Sequence, residues 1–134
     1  MKKVIIFQSL PIWLGIIKDA INEAFPEKVP DVDYSETFDQ CLGLIPKEGE
    51  VLVICSSIFH GDDSPYKKGL SEEDKKDADT LARLIKEINK KAKVWVYSEY
   101  PPKTIIHIDG FISKDFYNES LKKVVKLIKK DCFI

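Results

Sequence analysis

Val51-Leu52-Val53-Ile54-Cys55 is the stretch on which the fold turns. It is apolar without alternation, which marks a strand covered on both faces. Upstream, Val4-Ile5-Ile6-Phe7 is a second run of this kind, between lysines and Gln8. Downstream, Val94-Trp95-Val96-Tyr97 and Gly110-Phe111-Ile112 read as two more strands. Val32 to Thr37 alternates loosely and reads as a strand near a sheet edge. Helical patterns lie between these runs. Pro11 suits a helix start, Trp13, Ile17, Ile21 and Ala24 form one apolar stripe, and Phe25-Pro26 ends it. A short helix is expected from Phe38 to Ile45, with Leu42 and Ile45 inward, before the turn of Pro46 and Gly49. Ser71-Glu72-Glu73-Asp74 resembles a capping box, and Ala78, Leu81, Leu84, Ile85 and Ile88 follow on one face. A last helix is expected from Asn118 to Lys130, with Leu121, Val124, Val125 and Ile128 toward the core.

Strands alternating with helices argue for a three-layer α/β domain around a parallel sheet. Five strands in one small domain fit the flavodoxin-like order 2-1-3-4-5, and residues 1–134 read as a single domain. Chemistry in such sheets gathers at the carboxyl ends of the strands. Here those ends are Gln8-Ser9, Cys55-Ser56-Ser57, Ser98-Glu99 and Ser113-Lys114.

Composition removes several classes of function. The 134 residues are 44% hydrophobic and 32% charged, as in globular chains. Twenty-one basic and 22 acidic residues leave a net charge of -1, so no global field draws in nucleic acid or an anionic membrane. The apolar runs are too short to span a bilayer. Gln8 and Ser9 cut the first run short of a signal-peptide core, which points to the cytoplasm. Cys41, Cys55 and Cys132 are widely spaced, without a CxxC pair, and read as reduced thiols.

At the strand ends the chain resembles the receiver domain of two-component response regulators. Val94-Trp95-Val96-Tyr97-Ser98-Glu99-Tyr100 looks like a receiver strand ending in its hydroxyl switch residue, with Ser98 in that place and Tyr100 near the aromatic one. Ile108-Asp109-Gly110-Phe111-Ile112-Ser113-Lys114-Asp115-Phe116 looks like the strand that ends in the family's lysine and Pro-Phe, with Asp115 in place of the proline. The resemblance is specific only from Val94 to Phe116. It implies a magnesium-binding acidic pair after the first strand, where this chain has Gln8 and Ser9. It implies a phosphoacceptor aspartate after the third, where this chain has Cys55, Ser56 and Ser57. Phosphotransfer to a carboxylate needs that carboxylate and a metal beside it. Tyr100 to Asp109 is too short for a full fourth helix. What the resemblance implies is a receiver-like scaffold with its phosphorylation site erased, a pseudo-receiver.

Other chemistries fit less well. Gly61-Asp62-Asp63-Ser64-Pro65 is good turn chemistry, and nothing marks a third ligand to join these acids and His60 in a metal site. A cysteine-phosphatase loop starting at Cys55 would need an arginine where Gly61 stands, and the one arginine is Arg83. Neither a Walker A loop nor a GxGxxG fingerprint occurs. Trp13 reads as a core or rim aromatic, and His107, among isoleucines, as a structural histidine.

The first expectation is therefore a non-enzymatic, phosphorylation-independent regulatory module that binds a protein partner. Tyr100, Lys122 and Lys126 are the candidate partner surface, and a second copy of the chain is one candidate associate. No cofactor, metal, nucleic acid or membrane is expected. The alternative is a flavodoxin-like protein, an enzyme among its options, that binds a small molecule or anion under a lid formed by residues 57–70. Ser9, Ser56, Ser57, Ser98 and Lys114 are the candidate residual anion pocket in either case.

Overall fold

The computed structural model describes residues 2–8, 10–27, 30–56, 78–99, 101–102, 104–115 and 117–132. The chain order is β1 (Lys3–Phe7), α1 (Pro11–Ala24), β2 (Val32–Ser35), α2 (Phe38–Leu44), β3 (Val51–Cys55), α3 (Ala78–Ile88), β4 (Lys93–Ser98), β5 (Gly110–Ser113) and α4 (Tyr117–Cys132). The five strands form one sheet in the order β2-β1-β3-β4-β5, and every neighbouring pair is parallel.

Alternation along each strand divides the core in two. Ile5, Phe7, Val53, Cys55, Val94 and Val96 face α2 and α3, where Phe38, Cys41, Leu81 and Ile85 meet them. Val4, Ile6, Leu52, Ile54 and Tyr97 face α1 and α4, against Ile17, Ile21, Val124 and Ile128. All of these side chains are at most 1% exposed, and burying each large one contributes about 1.5–3 kcal/mol. A central strand with both faces covered must be apolar throughout, which is why β1 and β3 read so plainly.

Local chemistry sets the boundaries. β2 stops at Ser35, short of the expected Thr37, because Thr37 caps α2: its hydroxyl accepts from the Gln40 backbone N–H at 3.2 Å. Ile88, expected on the buried face of α3, is 38% exposed at the helix end. The next residue, Asn89, is buried and closes the helix. Its amide donates to the carbonyls of Pro46 and Gly49, both at 2.9 Å, and its oxygen accepts from the Lys91 N–H. The capping-box stretch at Ser71 lies outside the described residues.

β5 is placed by Asp109 and Gly110. The Asp109 carboxylate accepts from the Val94 N–H at 2.7 Å, its own N–H donates to the Val94 carbonyl at 2.8 Å, and Lys86 pairs with it at 3.0 Å. Gly110 stands beside Trp95 in the ladder, and a Cβ there would lie 2.4 Å from the indole ring. Among the described residues no helix joins β4 to β5. This short connection is instead fastened to α3 by Asp79, which is buried. Its carboxylate accepts from the His107 N–H at 2.5 Å and contacts the His107 ring Nδ1 at 2.8 Å. The fastening leaves Ile105 66% and Ile106 79% exposed.

Candidate functional site

Parallel pairing in register brings the carboxyl ends of β1, β3, β4 and β5 to one edge. The Ser56 N–H donates to the Phe7 carbonyl at 3.1 Å, which carries the β1–β3 ladder one residue past Cys55. The Lys114 N–H donates to the Ser98 carbonyl at 2.9 Å, which does the same for β4 and β5. Ser56 and Ser98 are 6% and 7% exposed, and Lys114 is half-buried. Of the expected pocket residues, Ser56, Ser98 and Lys114 therefore sit at successive strand ends. Ser9, Ser57 and Tyr100 lie outside the described residues, as do His60, Asp62, Asp63 and the 57–70 stretch. Lys122 and Lys126 stand elsewhere, exposed on α4, where they border a groove with α1 whose floor includes Ala20, Leu121 and Val125.

What organises the edge is Gln8. It is 1% exposed and its N–H donates to the Ser35 carbonyl of β2 at 3.3 Å. Its side chain reaches over the end of β3. The amide nitrogen makes a long contact, 3.5 Å, with the Tyr97 carbonyl of β4. The amide oxygen accepts from the Lys114 ammonium at 2.8 Å. Backbone and side chain of this one neutral residue thus tie the ends of β2, β1, β4 and β5 together, the backbone to β2 and the amide to β4 and β5.

Aromatic rings complete the seat of the ammonium. Lys114 Nζ lies 4.1 Å from the centre of the Trp13 ring and 5.2 Å from that of Tyr97. The two rings meet edge to face at 5.7 Å. Tyr97 is itself held, since its hydroxyl and that of Ser120 on α4 are 2.7 Å apart. Trp13 projects from the first turn of α1, which Pro11 starts, so the β1–α1 junction positions the ring.

The electrostatics follow from these contacts. Burial pulls the Lys114 amine down from the ordinary 10.5 to about 8, and the negative charge of exposed Glu99 opposes that fall. Cys55, at the end of β3, has a thiol pushed strongly upward, first by burial, so it is inert as a nucleophile. Burial pushes the Cys41 thiol up to about 12. Among the described residues no group of three potential metal ligands comes together.

The sequence reads Trp13 as part of the apolar stripe and as a core or rim aromatic, and Gln8 as a strand end that lacks the expected acid. Their joint hold on Lys114 spans 106 positions and leaves no local pattern. The available signal was topological: Gln8 and Lys114 each directly follow a strand, and parallel strands bring those positions to the same edge.

No protein-family model matches the sequence, and no curated protein is significantly similar to it. Solved structures are similar in shape. One is a response regulator receiver domain protein (CheY-like) from Methanospirillum hungatei, with a TM-score of 0.66 and 15% identity, covering 97% of this chain and 95% of that one. A second is the response regulator protein TrrA from Thermotoga maritima in complex with Mg(2+)-BeF, with a TM-score of 0.62 and 20% identity over 96% of this chain and 99% of that one. A third is the signal receiver domain of an HD domain-containing protein from Pseudomonas fluorescens, with a TM-score of 0.64 and 14% identity over 97% and 95%. With its strand order and its three layers, the chain has the flavodoxin-like fold of response-regulator receiver domains.

Proposed function

We propose that this chain is a receiver-like regulatory module that works through a protein partner and is not switched by an aspartyl phosphate. The observation that carries the reading is the Gln8–Lys114 contact. A working receiver, which the chain resembles, offers acids after its first strand to hold magnesium. Here that position is an amide, and its oxygen is already engaged by the ammonium at 2.8 Å. A neutral amide is a poor substitute for the carboxylates that a magnesium ion normally keeps. At the end of β3 the described residues Cys55 and Ser56 are not carboxylates, so neither can form the acyl phosphate. The edge is built as a closed polar clasp.

Regulation would then reside in association. Lys122 and Lys126 are exposed on α4 at the border of its groove with α1, which suits a partner-facing surface. A second copy of the chain is one candidate partner; Tyr100, expected on the partner surface, lies outside the described residues. In the alternative, Ser56, Ser98 and Lys114 would face a small anion; the 57–70 stretch expected to cover it lies outside the described residues. The clasp argues against it, because an anion would have to displace Gln8 from the ammonium.

Incubation of the intact chain with magnesium and acetyl phosphate, read by intact mass, tests the proposal. The expected spectrum has no phosphoryl adduct. A stoichiometric phosphoryl group on any carboxylate would overturn it, and Asp62 and Asp63 would be the first positions to map.

A further inference from the structure

α1 and α4 lie on the same face of the sheet without closing fully against each other. On α1, Ile17 and Ile21 are buried, whereas Ala20 and Ala24, one turn apart, are half-buried. On α4, Val124 and Ile128 are buried, whereas Leu121 and Val125, again one turn apart, are half-buried. These last two pairs form the floor of an open groove of about 720 Å³ between the helices. Alanine on the α1 side is too short to fill the space beside Leu121 and Val125, so apolar surface there stays in contact with water.

The rims differ in charge. Lys122, Lys126 and Lys129 stand along the α4 rim at spacings of four and three, in a single row about 10 Å long. Glu23 is the one acid among the described lining residues. The present contacts of the row are weak. Lys122 meets Glu119 at 3.5 Å, but the two side chains are 76% and 70% exposed and water screens the pair. The Lys129 ammonium lies 5.7 Å from the centre of the Phe25 ring at the end of α1, which brings it toward that helix.

The geometry points to an acidic amphipathic helix of a protein partner as the occupant of this groove. This occupant is the partner that the regulatory reading calls for, and the assignment rests on that reading. A row of ammonium groups beside an apolar trough is complemented by apolar side chains on one helical stripe, with carboxylates at i, i+4 and i+7 along its flank. Apolar contact supplies affinity, and the lysines fix register and disfavour basic partners. A second copy of this chain fits worse. Face to face, each copy would set its three lysines against three more, with one glutamate on each side to offset them. A small anion would meet the lysines and leave the floor uncovered.

The test titrates the full chain with a synthetic helical peptide that carries leucines on one stripe and glutamates at i, i+4 and i+7 beside them, followed by amide NMR. Saturable shifts are expected at Ala20, Ala24, Leu121 and Val125, with a Kd below about 1 mM. The affinity should fall several-fold between about 0.05 and 0.3 M salt. Reversing the rim with Lys122→Glu, Lys126→Glu and Lys129→Glu, all at exposed positions, should weaken binding about tenfold, since each exposed pair is worth about 1.5- to fivefold. The peptide with serine in place of its leucines should give no saturable shift at the floor. Absence of saturable shifts with the acidic peptide would overturn the inference. So would equal affinity for a counterpart with lysine in place of glutamate, undiminished binding by the reversed rim, or self-association of the chain that the reversal abolishes. The phosphoryl-adduct experiment decides the regulatory reading separately, because an adduct at the strand edge and a peptide in the α1–α4 groove are read by different signals at different residues.

Discussion

Replacing Gln8 by glutamate restores a carboxylate where the receiver resemblance expects an acid, with almost no change in shape. Its oxygen would stand about where the amide oxygen does, 2.8 Å from Lys114 Nζ. At an effective dielectric of about 20, such a pair attracts by about 6 kcal/mol before desolvation. Gln8 is 1% exposed, so burial of the new charge consumes much of that gain, and the amide contact to the Tyr97 carbonyl is lost. The expected net result is a rise of about 1–3 pH units in the Lys114 titration, from about 8 toward the ordinary 10.5. Stability should follow. In the native chain the amine titrates below its unfolded value, so between pH 8 and 10.5 the unfolded chain binds more protons and stability from this group increases with pH. Below pH 8 that contribution is lost. With allowance for partial solvent screening, Lys114 should contribute a gain of about 0.5–1 kcal/mol between pH 7.5 and 9. Within the same window the buried thiols of Cys41 and Cys55 work in the opposite direction, because their folded values are raised, so the Lys114 contribution is read as the difference between this chain and Gln8→Glu, in which the thiols are common to both. Gln8→Glu should abolish the gain. Carbon-detected NMR of the Lys114 side chain gives the titration, and urea unfolding at pH 7.5 and 9 gives the slope. A Lys114 titration in Gln8→Glu still centred at or below 8 would refute the reasoning, as would an identical change in stability over that window in the two chains.

Three structural contacts give further expectations. Tyr97→Phe removes the hydroxyl bonded to Ser120 inside the α1–α4 core and should lower unfolding stability by about 1–2 kcal/mol in urea melts, with the fold retained. Gly110→Ala drives a Cβ into the Trp95 ring and should cost about 1–3 kcal/mol while shifting Trp95 fluorescence, whereas the same change at Gly15, which has open space around it, should cost nothing by crowding. Asp79→Ala removes both acceptors of His107 and should speed amide exchange at His107 by about tenfold or more, with exchange in β3 unchanged.

β1, β3 and α1 could be read from the chain because their causes are local. Unbroken apolar runs make buried strands, and Pro11 and Phe25-Pro26 bracket an apolar stripe. Strand order was legible because strand–helix alternation leaves few arrangements for a parallel sheet. The limits of β2 were misjudged because Thr37 favours a cap over continued pairing, which is decided by the helix beyond it. The site was half legible. Ser56, Ser98 and Lys114 were placed at one edge by the resemblance and by strand ends. Gln8 and Trp13 were visible as residues, but their grip on Lys114 arises only when α1, β1, β4 and β5 close around one amine. The fastening of His107 by Asp79 is of the same kind, with 28 positions between partners that share no periodicity.

The central claim is that the amide–lysine clasp has replaced a magnesium and phosphoryl site. Amide NMR of the chain titrated with magnesium and beryllofluoride addresses it most directly. The account predicts no saturable shift at Gln8, Ser56, Ser98 or Lys114. Saturable shifts at those four residues, dependent on both magnesium and beryllofluoride, would contradict it.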